Sequence, residues 1–304
     1  MTTKPLRIIV AINPSASFGR GSTVGPAVVQ TLRGVGHDVT ALTEPTYDDL
    51  VDAAERALAT RPDALVVVGG DGMVNLGANL VAGTGVPLGV VPSGTGNDTA
   101  RALGIPHDNA EAAIRLLLDA LQRPPRVIDA GRIRRSDGTT TWFACMVSAG
   151  FDAVVNERAN RMRWPKGPSR YNLAMLIELA VLRPITYRLV LDGVESMATG
   201  VLVSVGNGVS LGGGMKVTPD ALLDDGMLDV LVVQRLTRVQ FLRIFPRVFK
   251  GTHLSDPRVT VHRVRSITID ADDVVAYADG ERVGPLPIDI EVVPGALRVL
   301  APVS

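Results

Sequence analysis

The stretch "VVVGGDGMVN" (residues 66–75) passes from a run of three valines into three glycines that surround one aspartate. Consecutive β-branched residues favour a buried strand, and the glycines after them favour a turn. Glycine carries no side chain, so such a turn lets another group come close to the backbone. The stretch therefore predicts a strand that ends in a tight turn with a close neighbour.

The first part of the chain alternates strand and helix patterns around this stretch. Short β-branched runs bounded by Gly, Pro or Asn predict strands, and apolar residues spaced four apart predict helices. The predicted strands span residues 6–12, 37–43, 64–68 and 87–91, and the clearest helices lie within 47–60 and 109–123. Such alternation is typical of a parallel sheet with helices on both faces. We predict a Rossmann-like α/β domain over residues 1–125.

The pattern changes after Pro124-Pro125, where strands separated by Gly and Asp turns replace the alternation. These runs predict a mainly antiparallel β-sandwich domain over residues 126–304, with helical insertions near 171–182 and 237–249. The sequence does not decide whether the extreme C-terminus returns to the first domain. A chain of 304 residues is long enough for two domains with their own cores.

Composition limits the classes of function. Lysine plus arginine and aspartate plus glutamate number 31 each, so no overall field would hold a nucleic acid by its phosphates. The single cysteine, Cys145, lies in an apolar run and is expected to be buried and inert. The first apolar run is too short for a secretory signal, and no segment reaches the roughly 18 apolar residues of a membrane span. We expect a cytoplasmic protein that touches a membrane only from its surface.

Three loops follow the predicted parallel strands at one edge of the sheet: Asn13-Pro14, "GGDG" (69–72) and "PSGTGND" (92–98). Ligands bind at this edge of open parallel sheets, where backbone N–H groups and helix N-termini favour phosphates. One such loop alone is more simply a tight turn, whereas two neighbouring loops favour a phosphate site. Neither loop completes G-x-G-x-x-G, and no Gly-Lys pair forms a P-loop.

Two other patterns point to different functions. "GVSLG" around Ser210 matches a hydrolase nucleophile motif, but no helix pattern follows it. The four histidines show no zinc-ligand spacing. Neither a hydrolase nor a zinc site is therefore expected.

Four motifs in order, "GGDG", "PSGTGND", "LDDGMLD" (223–229) and "YADGE" (277–281), resemble the diacylglycerol kinase catalytic family. Relatives of that family include sphingosine kinases and, more distantly, NAD kinases. The stretch from Gly150 to Pro184 is similar to soluble actinobacterial diacylglycerol kinases in particular. The resemblance covers almost the whole chain and implies a nucleotide-binding α/β domain, a β-sandwich and an active site in the cleft between them.

The resemblance also implies roles for individual residues. ATP and Mg²⁺ are the implied cofactors, with Asp71 beside the phosphates and the ion. The implied ATP-site residues are Asn13, Thr43, Gly70, Asp71, Gly72, Asn75, Gly94, Thr95 and Asn97. A structural Mg²⁺ would be held by Asp225 and the carbonyls of Leu222 and Met227, and linked through water to Asp129. Either Asp279 or Glu281 would take the proton from the lipid hydroxyl, although Asp-Gly is also a common hairpin turn.

Two departures from the family pattern lie within the opening stretch and directly after it. The family has threonine where this chain has Met73, and glutamate where it has Leu76. A hydroxyl and a carboxylate near the nucleotide are therefore missing.

A basic segment offers a route to the lipid. Residues 235–250 hold five cations and no acid, with Leu242, Phe245 and Phe249 at helical spacing and Arg243, Arg247 and Lys250 on another face. Such a helix suits an anionic lipid surface, although a core-packed surface helix is an equal alternative. A second basic cluster, residues 158–170, contains Trp164, and tryptophan is a residue type that suits the membrane interface.

The sequence as a whole predicts an ATP- and Mg²⁺-dependent kinase that converts diacylglycerol to phosphatidic acid, peripherally associated with the inner face of the cell membrane. A kinase for another lipid alcohol, such as a sphingoid base, and a nucleotide-binding regulator without turnover are the alternatives. The oligomeric state, including a homodimer, is left open.

Overall fold

A computed structural model describes residues 4–13, 21–162, 164 and 168–302 of the chain. They fall into two units, the first within residues 1–130 and 294–304 and the second within 131–293. In the first part of the chain the elements are β1 (Arg7–Ile12), α1 (Gly21–Gly34), β2 (Asp38–Leu42), α2 (Tyr47–Leu58), β3 (Ala64–Gly69), α3 (Asp71–Val81), β4 (Leu88–Pro92), α4 (Asp98–Ala102) and α5 (Ala110–Ala120).

The later elements are β5 (Arg126–Arg135), β6 (Thr140–Phe143), β7 (Met146–Gly150), α6 (Phe151–Arg161), α7 (Pro168–Ala180), β8 (Ile185–Leu191), β9 (Val194–Gly206), β10 (Ser210–Leu211), β11 (Met215–Lys216), β12 (Leu228–Gln234), α8 (Arg238–Val248), β13 (Val259–Val264), β14 (Ser266–Asp270), β15 (Val275–Ala278), β16 (Glu281–Pro285) and β17 (Ile288–Leu300). A short 3₁₀ turn follows α8 at Thr252–Ser255.

The first unit is built on a parallel sheet in the order β2, β1, β3, β4, and the end of β17 adds a further parallel strand beside β4. All six residues of β3 are buried. A central strand covered on both faces has no polar side to present, so its sequence is continuously apolar. The predicted α/β architecture is confirmed, and each predicted strand agrees with the observed one to within one residue at either end.

The helices of this unit begin where side chains can satisfy their free N–H groups. Thr46 accepts from the N–H of Asp49 ahead of α2, and Asn109 accepts from the N–H of Ala112 ahead of α5. Leu50, which belongs to the predicted apolar stripe of α2, is fully buried. These caps fix where each helix starts and which face it turns to the sheet.

The second unit is mainly antiparallel, as predicted. The first half of β9 pairs with β8, and its second half lies between β7 and β12. β12 also pairs with β13, while β14 lies between β8 and β17, and β15 between β7 and β16. Alternate residues from several strands, including Val203, Val230 and Ile269, form one apolar core.

Three helices form a layer of their own in the second unit. Residues of α6 and α7 share an apolar cluster that includes Phe151, Val155 and Ala174, and Phe241 of α8 packs against it. The ring centroids of Phe151 and Phe241 lie 4.7 Å apart. The helices expected near 171–182 and 237–249 are present as α7 and α8, whereas α6 was not predicted.

Cys145 is buried, as expected, and its Sγ lies 3.1 Å from the carbonyl oxygen of Ser210. Ser210 opens β10, a two-residue strand that pairs with β11. A nucleophile elbow needs a strand, a sharp turn and a helix in succession, so Ser210 does not stand on one. No helix in the described part of the chain has the length and apolar character of a bilayer crossing.

Candidate active site

The two glycine-rich loops of the first unit touch each other through their backbones. β3 ends at Gly69 and β4 at Pro92, and the N–H of Ser93 donates to the carbonyl of Gly69 over 2.8 Å. A Cβ added at Gly94 would lie 2.4 Å from the Cα of Gly70. No real side chain tolerates that distance from a backbone atom, so this contact requires glycine.

Asn97 holds the second loop in shape. Its backbone is left-handed at φ 53°, a conformation that asparagine adopts more readily than most residues. Its Oδ1 accepts from the N–H of Gly94 over 3.1 Å, and its Nδ2 donates to the carbonyl oxygens of Gly94 at 2.9 Å and His107 at 3.2 Å. The hydrogen bonds of the Asn97 side chain therefore hold the conformation of the loop.

Asp71 joins the two loops from the first turn of α3. Its Oδ1 accepts from the backbone N–H of Thr99 over 3.2 Å. Nearby, the hydroxyls of Ser93 and Thr99 are buried with no hydrogen-bond partner among the described residues. Buried hydroxyls are normally satisfied, so two unsatisfied ones beside these loops suit a ligand with oxygen acceptors. The sequence analysis did not single out either hydroxyl, because nothing local in the sequence marks it as unsatisfied.

The two departures from the family pattern lie in the interior. Met73 and Leu76 are 2% and 4% exposed, and both belong to α3. The side chain of Met73 covers Gly69, where an added Cβ would lie 2.3 Å from its Cγ. Asn75 is also buried, and its Oδ1 accepts from Nδ2 of Asn79 over 3.2 Å. These positions shape the packing of α3 on the sheet.

The remaining candidates of the first unit lie at different distances from the loops. Asn13 follows β1, donates its N–H to the carbonyl of Val68 over 3.1 Å and lies against Gly69. Thr95 is exposed at the tip of the second loop, and Gly72 is partly exposed on α3. Thr43 is exposed after β2, two strands away from β3.

Asp279 is the central acid of the hairpin between β15 and β16. Its carboxylate accepts from the backbone N–H groups of Ala144 at 2.7 Å, Cys145 at 3.0 Å and Met146 at 2.8 Å. The residue is 4% exposed and left-handed at φ 48°. The hairpin turn predicted by Asp-Gly is therefore present, and the aspartate also fastens it to the start of β7.

Glu281 follows two residues later, and its surroundings differ from those of Asp279. It is exposed as a residue, yet the protein around its carboxyl removes enough water to raise the pKa of that group. It lines a cavity of about 260 Å³ together with Glu157, Arg161, Tyr277, Gly280 and Arg282. A carboxylate with a raised pKa beside a cavity is well suited to accept a proton.

Glu157 ties the wall of this cavity together. It accepts from Tyr277 Oη at 3.2 Å, Arg282 Nε at 2.7 Å and an Arg161 guanidinium nitrogen at 2.7 Å. The hydrogen bond from Arg282 lowers the pKa of Glu157, so this carboxyl stays ionised while that of Glu281 is easier to protonate. The sequence analysis missed the cluster, which joins α6 to a hairpin far along the chain.

Asp152 is a further acid that the sequence analysis did not identify. It stands in the first turn of α6, directly after β7. Burial raises its pKa to about 6, and a hydrogen bond from Ser148 opposes that rise. Ser148 pairs with Tyr277 across β7 and β15. A perturbed acid close to the Asp279 hairpin marks this end of the second unit as the one with unusual chemistry.

The residues that the resemblance implies as ligands of a structural Mg²⁺ make other contacts in the structure. Asp225 accepts from the N–H of Met227 over 3.0 Å through Oδ1, and its Oδ2 forms an ion pair with Arg263. Leu222 is exposed. Asp129 belongs to the first unit, where it is buried and accepts from the N–H of Gly295 over 2.8 Å. Because a guanidinium already holds the Asp225 carboxylate, these residues do not fit a metal ion as they stand.

Comparison with known proteins gives a consistent result. Residues 7–132 match the model of the diacylglycerol kinase catalytic domain, and residues 145–301 match that of the YegS C-terminal NAD kinase beta sandwich-like domain. A diacylglycerol kinase of Mycobacterium tuberculosis H37Rv is 39% identical over 97% of this chain and 95% of its own. One of Bacillus subtilis is 27% identical over 86% of this chain and 84% of its own.

Solved structures share the fold. A putative diacylglycerol kinase from Bacillus anthracis superposes with a TM-score of 0.77 at 24% identity, covering 99% of this chain and 98% of its own. An NAD kinase from Archaeoglobus fulgidus, solved in complex with ATP, gives a TM-score of 0.51 at 13% identity, covering 98% and 93%. With its sequence matched over nearly its full length, this chain belongs to the diacylglycerol kinase family.

Proposed function

We propose that the chain is an ATP-dependent lipid kinase that phosphorylates the free hydroxyl of diacylglycerol to give phosphatidic acid. The observation that carries this proposal is the backbone contact between Gly70 and Gly94. It gathers two loops at the carboxyl ends of neighbouring parallel strands, where phosphates bind in this class of sheet. Membership of the family and the names of its relatives support the choice of lipid.

In this proposal residues 1–125, which lie within the first unit, form the nucleotide-binding domain. The N-terminus of α3 and the loop N–H groups would meet the phosphates. The unsatisfied hydroxyls of Ser93 and Thr99 would add two donors. The other ATP contacts we propose are Asn13, Thr43, Gly70, Gly72, Asn75, Gly94, Thr95 and Asn97, the last through the loop that it shapes.

An acid beside phosphates needs a cation between them. The carboxylate of Asp71 and the hydroxyl of Thr99 are oxygen donors of the kind that Mg²⁺ prefers, so they fit the ion that accompanies ATP. Bound there, the ion would neutralise phosphate charge. Such an ion would give the one acidic side chain of the glycine-rich turn a role.

The second unit, within the proposed substrate domain of residues 126–304, would supply the base. The carboxylate of Asp279 accepts from three backbone N–H groups, so we assign it to positioning the turn. Glu281, with a raised pKa and a cavity beside it, is the better proton acceptor. Glu281 would take the hydroxyl proton as the lipid oxygen bonds to the γ-phosphorus, and the bond to ADP breaks.

The direct test is a transfer assay with labelled ATP, Mg²⁺ and a panel of lipid alcohols. We expect label on diacylglycerol, with phosphatidic acid as the product. Label on a sphingoid base instead would assign a different lipid kinase. Saturable ATP binding without label on any lipid would identify a nucleotide-binding regulator.

Gly94→Ala should abolish tight ATP binding. The new Cβ forces the two loops apart, and we expect at least a tenfold loss of affinity, about 1.4 kcal/mol. Thermal shift with increasing ATP measures the effect, because a ligand that binds only the folded state raises the melting temperature. Gly34→Ala is the matched control, since an added Cβ there meets nothing within 4 Å. An ATP response in Gly94→Ala equal to wild type would contradict the assignment.

Glu281→Gln should lower kcat by roughly a hundredfold or more, the usual contribution of a general base, without lowering Tm. Asp279→Asn should instead lower Tm, because it replaces a charged acceptor of three N–H groups. In the wild type, kcat/KM should fall as pH drops through a pKa above the 4.5 of an ordinary glutamate, since only the carboxylate accepts a proton. A folded Glu281→Gln enzyme with wild-type turnover would rule out this base.

The helix α8 presents a surface suited to lipid. Its core-facing residues are Phe241, Ile244 and Val248. Val239, Leu242 and Phe249 are 58%, 55% and 50% exposed, at spacings that put them on one side of the helix. The sequence left the stripe of Leu242, Phe245 and Phe249 open between a lipid surface and the core. In the structure Leu242 and Phe249 are exposed and Phe245 is partly buried.

Cations flank this exposed side. Arg243 and Lys250 are exposed. Arg247 was expected on a solvated face, but its guanidinium donates to the carbonyl of Thr252 and to Ser255 Oγ, so it supports the fold. We propose that α8 contacts an anionic membrane and inserts Leu242 and Phe249 into the interface.

The second basic cluster, residues 158–170, is described only in part. Arg163 and residues 165–167 lie outside the described residues, and Trp164 is 77% exposed.

The double variant Arg243→Gln with Lys250→Gln should bind vesicles containing phosphatidylglycerol roughly thirtyfold less tightly, since each cation near such a surface contributes about 1 kcal/mol. Tm should not change, because exposed charges contribute little to stability. Sedimentation with vesicles measures the binding. Arg115→Gln with Arg134→Gln removes two exposed cations elsewhere and serves as the control. Equal losses in both double variants would assign the effect to net charge instead of α8.

A further inference from the structure

The turn between Leu222 and Asp229 is closed by contacts within the protein. The Oδ1 of Asp225 accepts from the N–H of Met227 over 3.0 Å, two residues ahead, which fixes the turn locally. Its Oδ2 forms an ion pair with the guanidinium of Arg263. The side chain of Asp225 is only 18% exposed, so little water competes for its second oxygen.

Arg263 reaches this turn because of the strand register. It lies on β13 directly opposite Asp229 on β12. Its Nε is 4.0 Å from Oδ1 of Asp229, whose side chain is 5% exposed. One guanidinium therefore serves two aspartates of the turn, and its position follows from the pairing of two strands.

Both aspartates pair with the same cation. The guanidinium of Arg263 attracts the carboxylates of Asp225 and Asp229, because opposite charges attract one another more strongly within a protein than in bulk water.

We propose that the guanidinium of Arg263 is the resident cation of this turn and takes the place of a divalent metal ion. A metal at Asp225 would need the carboxylate oxygen that Arg263 holds and would be repelled by the guanidinium charge. Because β13 carries the arginine, the cation is built into the chain. The stability of the second unit is then independent of Mg²⁺ at this turn, whatever the reaction catalysed.

The test is thermal unfolding of four full-length proteins with excess EDTA and with millimolar Mg²⁺, in the absence of nucleotide. They are the wild type, Arg263→Gln, Asp225→Asn and the control Arg188→Gln. Arg188 forms an ion pair with Glu195 on neighbouring strands of the same unit, at exposures similar to that of Arg263. Arg188→Gln therefore measures the loss of an exposed pair that holds no turn.

We expect the wild-type Tm to be the same in EDTA and Mg²⁺. Arg263→Gln should lower Tm by roughly 3–6 °C, and Arg188→Gln by about 1 °C or less. A wild-type Tm that Mg²⁺ raises, in a way that Asp225→Asn abolishes, would overturn the proposal, and this comparison decides it even if Arg263→Gln does not fold. A Tm of Arg263→Gln equal to that of the control would also overturn it.

Discussion

Three backbone N–H groups converge on the carboxylate of Asp279, and the candidate site of the second unit depends on that contact. It fastens the hairpin to residues 144–146, whose own carbonyls receive the backbone N–H groups of Asn207 and Gly208 and the side chain of Asn207. The aspartate thus connects a hairpin, the start of β7 and the end of β9. Glu281 is the first residue of the strand after the turn, so its position depends on the contacts that hold Asp279.

The fold was largely readable from the sequence because its strands are short β-branched runs that end at Gly, Pro or Asp. The predicted strand over residues 64–68, for example, begins where β3 begins and ends one residue before it. The helices without a predicted span include α1 and α6. In α1 three glycines and Pro26 disguise the periodicity. In α6 the cations obscure Phe151, Val155 and Ala159, which lie four residues apart and are buried.

The site was less readable, since its chemistry arises from contacts between distant segments. Glycine spacing predicted the two loops but not the unsatisfied hydroxyls of Ser93 and Thr99. "YADGE" offered two acids without distinguishing them, and they differ because one meets N–H groups more than a hundred residues away while the other lines a cavity. The "LDDGMLD" turn likewise gave no sign that Arg263 would reach Asp225, because only the pairing of β12 with β13 brings them together.

Cys145 has a practical consequence for studying this molecule in solution. It is the chain's single thiol, it is 3% exposed, and its sulfur lies within hydrogen-bond distance of a backbone carbonyl oxygen. A thiol-reactive dye therefore finds almost no target on the native protein. A cysteine introduced at an exposed position of α8, such as Leu242, becomes the one site for a fluorophore or spin label. The natural sequence is thus already a clean background for spectroscopic probes of how that helix meets its surroundings.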